Sequence, residues 1–65
     1  MNVLDLKSGN LLFYEDSKSH YLILSVNILA DSRIRLVYYS SISNRIYSPE
    51  YTEDTELDNK LILIS

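Results

Sequence analysis

The sequence predicts a single small all-β domain. Three observations carry that prediction: alternating aliphatic residues over Tyr21 to Ile28 and Ile34 to Tyr39, turn-forming residues between the apolar runs, and hardly any helical periodicity. Successive side chains of a strand point to opposite sides, so apolar residues at every second position belong to one face of a sheet. Leu22, Leu24, Val26 and Ile28 make such a set, as do Ile34, Leu36 and Tyr38 in the next run. Pairing Ile28 with Ile34 sets Val26 opposite Leu36 and Leu24 opposite Tyr38, so both aliphatic faces coincide and form the predicted core. The same register sets Ile23 against Tyr39 and Ser25 against Val37 on the opposite face.

Taken in order, Val3-Leu4-Asp5-Leu6-Lys7 alternates too briefly to separate a strand from one helical turn. Ser8-Gly9-Asn10 is a turn signal, because glycine adopts positive φ freely and asparagine tolerates it. Leu11 to Tyr14 is then a short strand, and Glu15 to Ser19 a polar hairpin loop. Leu29 to Ser32 connects the two long central strands. Ile42-Ser43-Asn44 fits a three-residue hairpin loop with Asn44 left-handed, which places Tyr39 opposite Tyr47 and Ser41 opposite Arg45. A two-residue Ser43-Asn44 turn would move Arg45 and Tyr47 to the other face; the longer loop is the preferred reading. Pro49 cannot donate a ladder hydrogen bond, so strand pairing is expected to end near Ser48. The polar segment Glu50 to Lys60 follows, with one tight helical turn expected at Leu57-Asp58-Asn59. Leu61 to Ile64 is a closing, wholly apolar strand that needs cover on both faces.

Composition bounds the rest. A 65-residue chain buries only about 60% of the surface its unfolded form exposes, and without cysteine it has neither disulfides nor thiolate metal sites. A hydrophobic fraction of 46% and a net charge of −3 describe a globular chain. No run of about 18 apolar residues is present, and Met1 to Asp5 lacks a signal-peptide pattern. The chain therefore reads as a soluble cytoplasmic protein, residing in the host cytoplasm if its source is viral, with no membrane partner.

Five short strands with tight connections are expected to curl into a strongly bent barrel. Gly9-Asn10 opening a first strand, a polar loop, two long strands, a short fourth, and a closing strand together resemble the SH3-like small barrels. The chain has no tryptophan of the kind an SH3 peptide groove presents, and no glycine where a KOW motif places one. The resemblance thus implies fold, and function has to come from particular residues.

Catalysis finds no support. His20 has only loop neighbours, Asp16, Ser17 and Ser19, whereas a hydrolytic site needs convergent groups from separate parts of a fold. Asp54 to Asp58 lacks the glycine and length of a calcium loop, and Gly9, the sole glycine, makes no phosphate loop. We read the chain as no enzyme, with no cofactor and no metal. The acidic residues Glu50, Glu53, Asp54, Glu56 and Asp58 are either a contact for a basic partner or a solvated loop, and the second reading is preferred. The outward sheet face is the main candidate surface: Tyr21, Ile23, Val37, Tyr39 and Tyr47, with Arg33, Arg35 and Arg45 beside them. Tyrosine and arginine together are characteristic of interface hot spots. The sequence reading is thus a non-enzymatic protein-binding module in the style of a small phage or mobile-element protein that binds and modulates or inhibits a host protein. Single-stranded nucleic-acid binding and self-association are its alternatives. Six Lys plus Arg against nine Asp plus Glu disfavours polyanions.

Overall fold

The computed structural model describes every residue from Met1 to Ser65. Six strands form it: β1 (Leu11–Tyr14), β2 (Ser19–Ile28), β3 (Arg33–Ser40), β4 (Arg45–Tyr47), β5 (Glu50–Thr52) and β6 (Leu61–Leu63). They make one antiparallel sheet in the order β4-β3-β2-β1-β6, with β5 also on β3. The all-β class is as the sequence predicts, but there are six strands instead of five, and the sheet is open, because β6 pairs only with β1 and no ladder joins it to β4 or β5. No helix is long and apolar enough to cross a membrane.

The turn chemistry places the strands. Gly9 sits at φ +92 in a turn closed by the Asn10 amide donating to the Lys7 carbonyl at 3.0 Å, a conformation that favours glycine. Glu15 to Lys18 makes the β1–β2 loop, with Tyr14 opposite Ser19. The β3–β4 loop holds four residues, Ser41 to Asn44, where the sequence reading has three, so Ser40 faces Arg45 and Tyr38 faces Tyr47. Asn44 is left-handed at φ 55, as expected, and Lys18 takes the same conformation at φ 51 in the last position of its own loop.

Pro49 interrupts a strand without ending it. β5 resumes on β3 with Arg35 opposite Glu50, Ile34 opposite Tyr51 and Arg33 opposite Thr52, the register β4 already holds. The Leu36 amide donates to the Pro49 carbonyl at 3.0 Å; the return bond of that antiparallel pair is missing because proline has no N–H. The expectation that pairing stops near Ser48 is thereby corrected. No helical turn forms at Leu57-Asp58-Asn59 either. Asp58 instead starts a tight turn in which its carbonyl accepts the Leu61 amide at 3.0 Å and its side chain the Lys60 amide at 2.9 Å.

The largest departure lies in β2. Ile28, Val26 and Ser25 face Ile34, Leu36 and Val37 as expected, but Ile23 then faces Tyr38 and Leu22 faces Tyr39. Leu24 stands unpaired between them as a bulge. An extra residue reverses the alternation from that point. Ile23 is therefore core, 1% exposed, while Leu22 and Leu24 are each 38% exposed on the outside, which corrects the expected positions of all three. Ile28 keeps its register yet is 75% exposed, since it is the last pair before the loop. The core consists of Leu12, Ile23, Ile34 and Leu36 from the sheet with Val3 and Leu6 from the N-terminal segment. That segment forms a 3₁₀ turn, Val3–Asp5, capped reciprocally by Asn2 and Asp5. Its backbone joins the connection between β5 and β6 through Val3 N–H to Thr55 O at 3.2 Å and Leu57 N–H to Met1 O at 2.8 Å.

The bulge predicts opposite outcomes at neighbouring positions. Ile23→Ala should destabilise by about 2–5 kcal/mol, and Leu24→Ala by about 1 kcal/mol or less. Urea titrations of the two variants test this; a larger loss at Leu24 would restore the unbulged register. Leu6→Ala should likewise lower the melting temperature by about 10 °C or more, since 1 kcal/mol corresponds to roughly 4–8 °C in a domain this small. Leu4→Ala, at a 46% exposed site, should change it by only about ±4 °C, as circular dichroism melts would show.

Candidate binding site

Because of the bulge and the four-residue loop, the residues singled out in the sequence do not share one face. Arg33, Arg35, Val37 and Tyr39 alternate with the buried Ile34 and Leu36 and lie on the outer face. Tyr21 and Ile23 lie on the inner face, opposite Ser40 and Tyr38. Tyr47 and Arg45 are on that side too, opposite Tyr38 and Ser40. The three-residue loop of the sequence reading fails because the turn closes on Ser40, which accepts the Asn44 amide at 2.9 Å, while Ser41 bonds only to β2, its amide donating to His20 O at 2.9 Å and its hydroxyl accepting the His20 amide at 2.7 Å.

The outer face carries two arginines that are already occupied. Arg33 Nη1 and Arg35 Nη2 hold the two carboxylate oxygens of Glu50 at 2.7 and 2.5 Å. The hydrogen bond from Arg35, with the charge of both guanidiniums, holds the Glu50 carboxyl below the usual glutamate range. Beside them runs an apolar row. Ile46 faces Tyr39, Tyr39 faces Leu22, and Leu22 faces Leu11, and the Ile64 amide donates to Leu11 O at 2.8 Å. This row crosses the whole sheet. Phe13 lies between His20 and Ile62 in the neighbouring row, its ring centroid 5.1 Å from that of His20. Ile46 is 63% and Ile62 46% exposed.

Five of the six tyrosines gather on the inner face, Tyr39 being the exception. Tyr38 meets Tyr21 edge-on at 5.5 Å and stacks on Tyr47 at 5.5 Å. Burial first, and then the neighbouring Tyr51, Tyr21 and Tyr47, push the Tyr38 hydroxyl pKa up. Next to this cluster is a pocket of about 210 Å³ whose walls include Tyr14, Tyr21, Tyr38 and Tyr51, with Asp58 as the one charged side chain. Tyr14 donates to Asp58 Oδ2 at 2.9 Å. That bond raises the Tyr14 pKa, while the Lys60 amide and then Tyr14 hold Asp58 below the usual aspartate range.

The acidic residues are dispersed and do not form a stripe. Glu50 belongs to the arginine clamp, Glu56 meets the N-terminal amine at 3.2 Å, Asp54 accepts the Thr52 hydroxyl at 2.6 Å, Glu53 is exposed in a turn, and Asp58 borders the pocket. Sequence reasoning missed Leu11, Phe13, Leu22, Ile46, Ile62 and Ile64 on the outer face, and Tyr14, Tyr38 and Tyr51 in the pocket. Tyr51 had a signal: continuing the β3–β4 register through Pro49 puts it opposite Ile34. The clamp predicts an acid effect. Glu50 has a depressed folded pKa, so its stabilisation is present above the unfolded glutamate value of about 4.3 and is lost as pH falls through the folded value. Glu50→Gln should melt below wild type at pH 7, and the gap should close in strong acid; a pH-independent gap in thermal melts would contradict this.

Comparison with protein families, curated proteins and solved structures finds no match to the chain.

Proposed function

We propose that the chain is a non-enzymatic protein-binding module that engages its partner through the outer face of the sheet. The supporting observation is the apolar row Ile46, Tyr39, Leu22, Leu11 and Ile64, in which Ile46, Leu22 and Ile64 are exposed and Tyr39 and Leu11 half-buried. Contiguous exposed apolar area marks interaction surfaces on soluble domains. Tyr39 gives the row an aromatic anchor, and the Glu50 clamp with Arg33 and Arg35 supplies a polar border of two guanidiniums around one carboxylate. The excess of nine Asp plus Glu over six Lys plus Arg argues against nucleic acid. Kinship with SH3-like barrels and the role of a small phage or mobile-element protein acting on a host protein in the cytoplasm belong to this reading; the meander order of β1 to β4 and the small size support them.

The test is a paired substitution. Leu22→Lys with Ile46→Lys should leave the melting temperature within a few degrees, both sites being exposed, and should weaken partner binding about tenfold or more. A protein captured equally by wild type and the double variant would remove the outer face from consideration. Sedimentation equilibrium at high micromolar concentration separates the self-association alternative: a wild-type dimer that the double variant abolishes would make the partner a second copy.

A further inference from the structure

The pocket on the inner face points to a second and chemically different site. We propose that it binds a small organic cation of the alkylammonium or guanidinium type, with the apolar body against Tyr21, Tyr38 and Tyr51 and the charge beside Asp58. Size comes first. At about 210 Å³ the pocket falls below the roughly 300–1,000 Å³ of sites for drug-sized ligands, so it suits one side chain or a comparably small molecule and not a nucleotide or cofactor. It is also several times the roughly 30 Å³ that one water occupies in the liquid.

Chemistry narrows the class further. The faces of aromatic rings are electron-rich and attract cations within about 6 Å of the ring centroid. The single charged wall residue is the carboxylate of Asp58, which lies at the solvent side and remains ionised at neutral pH because two donors favour its charged form. Its oxygens accept from Tyr14 and from the Lys60 amide, and each keeps a lone pair for a ligand. The nearby cations are occupied elsewhere: Lys60 Nζ is 2.8 Å from Asp16, and the N-terminal amine is held by Glu56. Among the tyrosine hydroxyls, Tyr14, Tyr21, Tyr39 and Tyr47 have protein partners; those of Tyr38 and Tyr51 are left for a ligand. An anion would meet Asp58, and a neutral apolar ligand would gain nothing from it.

This inference stands apart from the outer-face reading, because the pocket residues lie on the other side of the sheet. The test compares choline with 3,3-dimethylbutan-1-ol, its uncharged carbon isostere, and adds butylammonium and butylguanidinium as lysine and arginine side-chain probes. Titrations of the full chain are followed through the tyrosine ring signals by NMR. At least one cation should shift the Tyr38 and Tyr51 rings saturably, with at least threefold tighter binding than the isostere. The strongest cation separates a quaternary ammonium from a lysine or arginine side chain as the natural source. Asp58→Asn, which keeps an acceptor for the Lys60 amide, should remove that preference while leaving isostere binding unchanged. If that variant fails to fold, Tyr51→Leu, which deletes one ring from the wall, should weaken the cation at least threefold. Binding of every cation within threefold of the isostere, or no ring shifts with any cation, overturns the proposal.

Discussion

The unpaired Leu24 is the constraint on which the rest of the sheet depends. A strand that buries one face fixes its register through that face, and a single extra residue exchanges inside for outside along everything beyond it. Before the bulge β2 presents Ser19, Tyr21 and Ile23 inward; after it, Val26. With regular alternation Leu22 and Leu24 would be inside, and Ile23 would lie against Tyr39. The bulge thus brings Tyr21 to Tyr38 and leaves Leu22 outside to join Leu11 and Tyr39. Both candidate surfaces follow from this one residue.

A sheet this small also needs cover, and the cover is local in sequence but distant in the sheet. Val3 and Leu6 are fully or almost fully buried among Leu12, Ile23, Ile34 and Leu36, so residues next to the N-terminus fill the concave side. The Asn2 capping box sets the conformation of that segment, and the bonds from Val3 and Leu57 tie it to the connection leading into β6. The sheet edges consequently need no ladder between them: the N-terminal segment and the Glu53 to Lys60 connection bridge the inner side. With so few buried residues, loss of either Val3 or Leu6 removes a large share of a core whose total stability is expected to be only about 0.05–0.15 kcal/mol per residue.

Much of this was legible in the sequence. The fold class, the positions of β1, β3, β4 and β6, the Gly9 turn and the left-handed Asn44 all follow from alternation and turn chemistry. What could not be read was parity. A bulge has no residue signature here, since Ile23 and Leu24 are both aliphatic and either could be buried. Loop length has the same effect at the β3–β4 turn: Ser41 fits strand or loop, and the choice decides whether Tyr47 and Arg45 point outward. Pro49 misled for a different reason. It removes one donor, and one missing bond does not stop a strand whose neighbouring pairs, Tyr38 with Tyr47 and Ile34 with Tyr51, retain theirs. The predicted face accordingly kept Arg33, Arg35, Val37 and Tyr39 and lost Tyr21, Ile23, Arg45 and Tyr47.

The two edges of the sheet differ in a way that bears on how any partner would approach. Along β4 and β5 the edge carries Pro49 and the charged clamp at Glu50, both of which discourage further strand pairing. Along β6 it carries Leu61, Ile62 and Leu63, without a charge or proline. The apolar outer row runs toward that second edge, since Ile64 is hydrogen-bonded to Leu11 and Ile62 faces Phe13. Surface and edge are therefore continuous. A partner that covered Leu22 and Leu11 on the outer face would also meet the backbone of β6, so an extended segment laid beside β6 would add main-chain hydrogen bonds to the side-chain contacts. One that approaches from the β4 side meets Ile46 and then Arg33, Glu50 and Arg35, a charged border with one net positive charge.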